Sequence, residues 1–250
     1  MKYNFTKLTD VGNYRKNNQD YLDFVTNSKG EALAIVCDGM GGHAFGEVAS
    51  KIAVEEFVKY FNKTEFSKVE NPEEWLKSSV ERILEVMINH ANKKPETLDM
   101  GTTLTAVLFV KNRAFNINIG DSRTYKIEDE ELVQISVDQN LWNQTNDQEK
   151  EAARKTNLYA KMNEATFWKV LTSALGPNKS LKIDIKEIED PKGIYMLTTD
   201  GVHDYIDEEV TASTLLNTSL KLKKKAYFIV EDAKDNISTD NLSILIVEAK

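Results

Sequence analysis

The chain has one cysteine, four prolines and three histidines in 250 residues. With Cys37 alone no internal disulfide can form, and a reducing, cytoplasmic setting is the expectation. Three histidines and one thiol, without ligand-type spacing, disfavour zinc. No apolar run approaches the roughly 20 residues that cross a bilayer, and the N-terminal stretch has no apolar signal core. Positive charge is in deficit, with 32 basic against 40 acidic residues and a net charge of -8. That balance argues against a nucleic-acid partner, whose phosphates attract basic faces. No internal repeat and no Pro/Gly/Ser-rich linker interrupts the chain, so one domain over residues 1–250 is expected.

What is present suits an ordered domain. Hydrophobic residues make up 41%, enough for a sizeable core, and the 29% charged content is that of an ordinary solvated surface. Residues 33–37 are continuously apolar, which predicts a buried strand ending at the turn dipeptide Asp38-Gly39. Phe45, Val48, Ala49 and Ile52, then Val54, Phe57, Val58 and Phe61, follow helical spacing. A second helix is announced by Asn71 as N-cap, Pro72 at the first position and Glu73 and Glu74 at the positive dipole end. Its stripe is Leu76, Val80, Ile83, Leu84 and Met87.

Strands are predicted at 21–25, 104–110, 115–119, 125–127, 132–135, 194–197 and 242–247, with Leu181, Ile183 and Ile185 alternating between the strands at 132–135 and 194–197. Residues 207–233 read as helices, with Lys221, Lys223, Lys224 and Lys225 on a solvated face. Hairpin-like strand pairs without β-α-β alternation indicate an α+β layered domain.

The informative feature is where the aspartates fall. Asp20, Asp38, Asp121, Asp200 and Asp240 all sit at predicted strand ends. Any one alone would be read as a turn residue. Five brought together would repel, and would have to bind protons or cations. All-oxygen ligation suits Mg²⁺ or Mn²⁺, and a pair of such ions can activate a water toward a phosphate ester. Gly39, Gly41 and Gly42 would let backbone approach an ion, although they also suit a tight turn. Arg15 is the candidate phosphate clamp, since a guanidinium can grip phosphate through two parallel hydrogen bonds.

Seven segments, in order and spanning residues 9–247, resemble the PPM (PP2C-type) protein phosphatases, and the bacterial members most. They are Thr9-Asp10-Val11-Gly12 with Arg15-Lys16-Asn17-Asn18-Gln19-Asp20; Asp38-Gly39-Met40-Gly41-Gly42-His43 with Gly46-Glu47; Gly101-Thr102-Thr103; Gly120-Asp121-Ser122-Arg123; Ala174-Leu175-Gly176; Asp200-Gly201; and Asp240-Asn241. The resemblance implies a four-layer α-β-β-α sandwich, two central antiparallel sheets flanked by helices, with a metal cleft at one end. It implies hydrolysis of phosphoserine and phosphothreonine in proteins by direct attack of a water bridging two Mn²⁺ or Mg²⁺ ions.

By position, Asp38 would bridge the core ions, the Gly39 carbonyl would reach one, and Asp200 and Asp240 would hold the other. Asp20 would stand beside the centre through waters. Asp121, with Asp200, would bind a third, weaker ion, and Arg15 would bind phosphate. A cognate serine/threonine kinase is among the implied substrates, with an anti-sigma-type phosphoprotein as the alternative, and the enzyme would be a monomer.

Three departures stand out. Met40 occupies the place where many eukaryotic relatives carry a histidine, and His203 is a different position that could support the site. Asp138-Gln139-Asn140 replaces a common Asp-His-Ser at the start of a variable flap, residues 138–170. Ser173 replaces a common arginine. A catalytically silent module of the same fold and a two-metal phosphodiesterase are the competing readings. The complete acidic set with Arg15 speaks against the first, and the acidic net charge against the second.

Overall fold

Residues 33–37 are apolar throughout because both faces of their strand are buried. In the computed structural model, which describes residues 1–250 except 41–44, 157, 158, 160, 162 and 163, they belong to β3 (Ala32–Met40). Leu33, Ile35 and Cys37 face one core, and Ala32, Ala34 and Val36 face another. The strand β11 (Leu242–Ala249) repeats the device. Its Leu242, Ile244 and Ile246 point outward to helices, while Leu245, Val247 and Ala249 point to the facing sheet. A period of two applied to two buried faces gives an unbroken apolar run.

One sheet runs β2 (Asp20–Thr26), β3, β5 (Leu104–Val110), β6 (Arg113–Ile119), β9 (Asp184–Ile188), with the short β4 (Gly101–Thr102) on β3. The other runs β1 (Tyr3–Asp10), β11, β10 (Gly193–Thr198), β7 (Arg123–Glu128), β8 (Glu131–Gln134). Every pairing is antiparallel. Two hairpins turn on residue pairs with positive φ, Lys111-Asn112 and Asp129-Glu130, the mirror-image turn whose twist matches that of its strands.

Helices α1 (Gly46–Lys63) and α2 (Pro72–Lys93) cover the first sheet. Asn71 caps α2 by accepting from the Glu73 and Glu74 N–H groups, as expected. Its Leu76, Val80, Ile83 and Met87 are fully buried, each contributing roughly 1.5–3 kcal/mol of transfer free energy. The flap carries α3 (Leu141–Gln144), α4 (Asp147–Arg154) and α5 (Glu164–Trp168). After the short α6 (Asp200–His203), helices α7 (Glu208–Leu216) and α8 (Leu222–Asp235) cover the second sheet with Ala212, Leu215, Ile229 and Val230. The order helix–sheet–sheet–helix is the expected four-layer α+β sandwich.

Some expectations are corrected. The strand at 33–37 does not stop at Asp38-Gly39 but runs on to Met40. Gly39 is there for close approach, not for a turn. A Cβ on it would lie 2.2 Å from the Gly46 carbonyl oxygen and 2.5 Å from that of Gln19. Gly39→Ala is therefore expected to cost about 1–3 kcal/mol in urea unfolding, because β3 and the start of α1 must separate. An unchanged midpoint would refute the close packing.

Of Leu181, Ile183 and Ile185, only Ile185 lies in β9, although all three pack on the helix-side core. Lys225 is not solvated: it is buried, donates to the Leu215 carbonyl and lies 3.9 Å from Glu248. Asp138, Gln139 and Asn140 are buried as well, so the exposed part of the flap begins after them. Strand β1 went unforeseen because Lys7 breaks its apolar alternation, which an edge strand tolerates.

Candidate metal centre

Four of the five aspartates meet at one end of the sandwich because strand ends from both sheets converge there. Asp38 comes from β3, Asp121 from the turn after β6, Asp200 from the start of α6 after β10, and Asp240 from the turn before β11. Together with Arg15, Gly39, Met40, Thr103 and Lys169 they line a cavity of about 340 Å³. Asp20 sits directly opposite Asp38 in the β2–β3 register and is buried, with Oδ2 accepting from the Thr199 hydroxyl at 2.9 Å. It is not among the residues lining the cavity. Gly41, Gly42 and His43 lie outside the described residues.

The backbone under these groups is clamped. The Asp38 N–H donates to Thr103 Oγ1 at 2.9 Å, and its carbonyl accepts from Thr102 Oγ1 at 2.8 Å and the Thr103 N–H at 2.9 Å. Thr103 Oγ1 is also 2.6 Å from Ser122 Oγ, which joins the Asp38 strand to the residue after Asp121. Thr102 exchanges backbone hydrogen bonds with Leu175, and this is the role of the Ala174-Leu175-Gly176 segment. Such networks fix side chains more tightly than packing alone.

The Arg15 loop is held by Asn241. Its amide donates to the Val11 carbonyl at 2.9 Å and the Asn17 carbonyl at 3.0 Å, and its oxygen accepts from the Gln19 N–H at 2.8 Å. Arg15 Nη2 reaches Asp240 Oδ2 at 2.6 Å, with the guanidinium half exposed at the cleft rim.

Charge crowding dominates the electrostatics. Burial raises Asp38 well above the usual carboxylate range, and Asp20, Asp200, Asp121 and Asp240 push it further. Burial lifts Asp121 to about 8, aided by Asp200, Asp138 and Asp204. Burial lifts Asp20 to about 7 against hydrogen bonds that oppose the rise. Asp200 is lifted to about 6 by burial and by the charges of Asp240 and Asp204. Oδ1 of Asp200 is buried with no hydrogen-bond partner. An orphaned carboxylate oxygen in a wall of oxygen donors fits a hard divalent cation, which relieves both the desolvation and the repulsion.

Among the described residues, no three His, Cys, Asp or Glu side chains already stand in ligating geometry. Two of the acids turn to cations of the chain: Asp240 pairs with Arg15, and Asp204 pairs with Lys169.

Sequence reasoning missed Asp204 and the roles of Thr102, Thr103 and Asn241. Asp204 lies four residues after Asp200, one helical turn on, and that spacing was a readable signal. His203 does not serve the cleft. It is buried against Thr198, with Nδ1 3.1 Å from the hydroxyl, and burial holds it neutral.

An α-β-β-α sandwich with an acid-walled cleft and an arginine at its rim defines a metal-dependent phosphohydrolase. Residues 14–234 match the family model described as "Protein phosphatase 2C". The chain is 30% identical over 242 residues to the protein phosphatase PhpP of Streptococcus pneumoniae, covering 96% of this chain and 95% of that one. This chain belongs to the protein phosphatase 2C family.

Solved structures agree in fold. The S. agalactiae serine/threonine phosphatase superposes with a TM-score of 0.83 at 24% identity, covering all of both chains. The catalytic domain of the serine/threonine protein phosphatase PstP, in complex with two manganese ions, superposes with a TM-score of 0.75 at 26% identity, covering 98% of this chain and 97% of that one. No helix among the described residues is long and apolar enough to cross a membrane.

Proposed function

We propose that the chain removes phosphate from phosphoserine and phosphothreonine in proteins, within one domain over residues 1–250. The observation that carries this is the convergence of Asp38, Asp121, Asp200 and Asp240 on one small cleft with Arg15 at its rim. Asp38, the Gly39 carbonyl, Asp200 and Asp240 would hold two core ions, Mn²⁺ or Mg²⁺, with Asp20 behind Asp38. Asp121 would contribute to a third, weaker site with Asp200. The chemistry these ions supply when bound is Lewis-acid activation of the attacking water and neutralisation of phosphoryl charge.

The rest is done by the chain. Thr102 and Thr103 hold the Asp38 backbone rigid, so its carboxylate presents one geometry. Asn241 fixes the loop that aims Arg15 across the cleft mouth. Arg15 would exchange Asp240 for the phosphoryl oxygens of the substrate, gripping two at once. Met40 has no acidic proton and His203 is buried against Thr198, so neither is placed to protonate the leaving alkoxide, and water would be the donor. A phosphorylated kinase of the same cell is the kind of substrate this reading favours, acted on by a cytoplasmic monomer.

The test is hydrolysis of a phosphothreonine peptide with Mn²⁺, Mg²⁺ or a chelator. Turnover should need the metal and should exceed that on a single-stranded oligonucleotide diester. Undiminished turnover in chelator would refute the metal mechanism.

Arg15→Ala is expected to raise KM chiefly, by about 10- to 100-fold, the loss of one charge-assisted contact worth about 1.5–3 kcal/mol. Arg15→Lys should recover part of this, because a point charge replaces the fork. An unchanged kcat/KM in Arg15→Ala would make Arg15 a surface charge.

A further inference from the structure

The flap carries one cation that lines the acid-walled cleft, Lys169, just after α5. Its ammonium pairs with the Asp204 carboxylate; the lysine side chain is about half exposed and the aspartate side chain largely covered, on a residue whose backbone is exposed. Asp204 stands four residues after Asp200, and the cavity Lys169 lines is walled by Asp121 and Asp200. The placement is built in. One residue on, the Val170 carbonyl accepts from the Leu141 N–H at 3.0 Å. The Thr172 N–H donates to the Gln139 carbonyl at 2.9 Å. Gln139 then exchanges two bonds with Gly120, each 2.9 Å, its N–H reaching the Gly120 carbonyl and its Oε1 accepting from the Gly120 N–H. The stretch that carries Lys169 is thus laced to the turn that carries Asp121.

Lys169 also lines the neighbouring cavity of about 610 Å³, walled by Trp142, Trp168, Arg123 and Asp138. A lysine on a flexible stem between two cavities can leave one for the other at small cost, since half-exposed ion pairs are weak.

We propose that Lys169 is a built-in competitor of the weak third divalent ion: its ammonium neutralises Asp204 on the Asp121–Asp200 side of the cleft, and the ion binds there only when Lys169 swings out. The flap thereby sets the affinity of that ion without providing a ligand for it. This rests on the metal-dependent reading above. Lys169 is a positioning residue, acting through the acids rather than on the substrate.

The test counts bound Mn²⁺ by electron paramagnetic resonance of the free ion during titration of the intact chain. Wild type should show two tighter sites and one weaker. Lys169→Gln should tighten the weak site about tenfold, because the competing charge is gone, and leave the two tighter sites unchanged. Lys169→Arg, which keeps the charge, should stay near wild type. In an Asp204→Asn background, Lys169→Gln should have no further effect, which a merely structural lysine would not produce.

A weak site within twofold of wild type in Lys169→Gln overturns the proposal. So does a stoichiometry of two in every variant, which leaves the phosphatase reading standing. No Mn²⁺ binding by the wild type would overturn both. Lys169 is exposed, so equal melting temperatures are expected and certify that folding is not what changed.

Discussion

Asp38→Ala is expected to lower kcat/KM on a phosphopeptide by about 10³-fold or more, since one preorganised electrostatic contact alone is worth roughly 10²–10³. The same variant should be no less stable without metal than the wild type, and should melt higher. Asp38 is half-buried in the cleft wall beside Asp20, Asp121, Asp200 and Asp240, all of which oppose its charge. Removing it takes away the carboxyl whose charge the other four oppose, against a small cavity and the loss of its hydrogen bond to Asp200. Stability gained where activity is lost marks a residue kept for chemistry rather than for folding. Melting in chelator and turnover at saturating Mn²⁺, on one preparation, decide the matter. Loss of activity with a large drop in melting temperature would make Asp38 structural. More than a tenth of wild-type turnover would remove it from the centre.

A second large effect concerns pH. In chelator, stability is expected to fall as pH rises from about 5 to 8, the reverse of ordinary acid denaturation. Asp200, Asp20 and Asp121 titrate near 6, 7 and 8 in the folded chain, against about 3.9 for an unfolded aspartate. Between these values the folded state binds more protons than the unfolded state, so the slope of unfolding free energy with pH is negative. The stability tied to these protons is fully present below about pH 4 and is lost as pH climbs through 6 to 8. Each proton taken up on folding contributes a slope of about 1.4 kcal/mol per pH unit. Saturating Mn²⁺ should flatten or invert the slope, because the ions bind the deprotonated acids. A melting temperature in chelator that rises from pH 5 to 8 would falsify the crowding.

Much of the fold was legible because burial on two faces leaves a plain mark. The strands at 104–110 and 242–247 are apolar run after apolar run, and both lie inside a sheet between two cores. Strand β1 left no such mark, since an edge position lets Lys7 reach Asp23 at 2.6 Å instead of packing.

The acids were legible as residue types at strand ends, and Asp38, Asp121, Asp200 and Asp240 do line one cleft with Arg15 and Gly39. What could not be read was which neutral groups hold them. Thr103 lies 65 positions from Asp38, and Asn241 is 222 from Gln19. Hydrogen bonds over such separations have no local signature. The burial of Asp138-Gln139-Asn140 and Lys225 was hidden for a related reason. Each is polar by composition and is satisfied by partners that only the fold supplies, Arg123 for Asp138 and the Leu215 carbonyl for Lys225.

The position of β11 has a temporal consequence. It lies between β1 and β10, pairing with both over its length, yet it is the last strand along the chain. A ribosome delivers β1 more than two hundred residues before its sheet neighbour β11, at roughly 5–20 residues per second. For that interval of ten seconds or more, β1 waits without a partner, and Asp240 and Asn241 have not yet left the tunnel. The Asp240 side of the cleft is therefore completed late, when β11 slots in between β1 and β10. Until β11 is in place, the cleft lacks Asp240, the acid that pairs with Arg15.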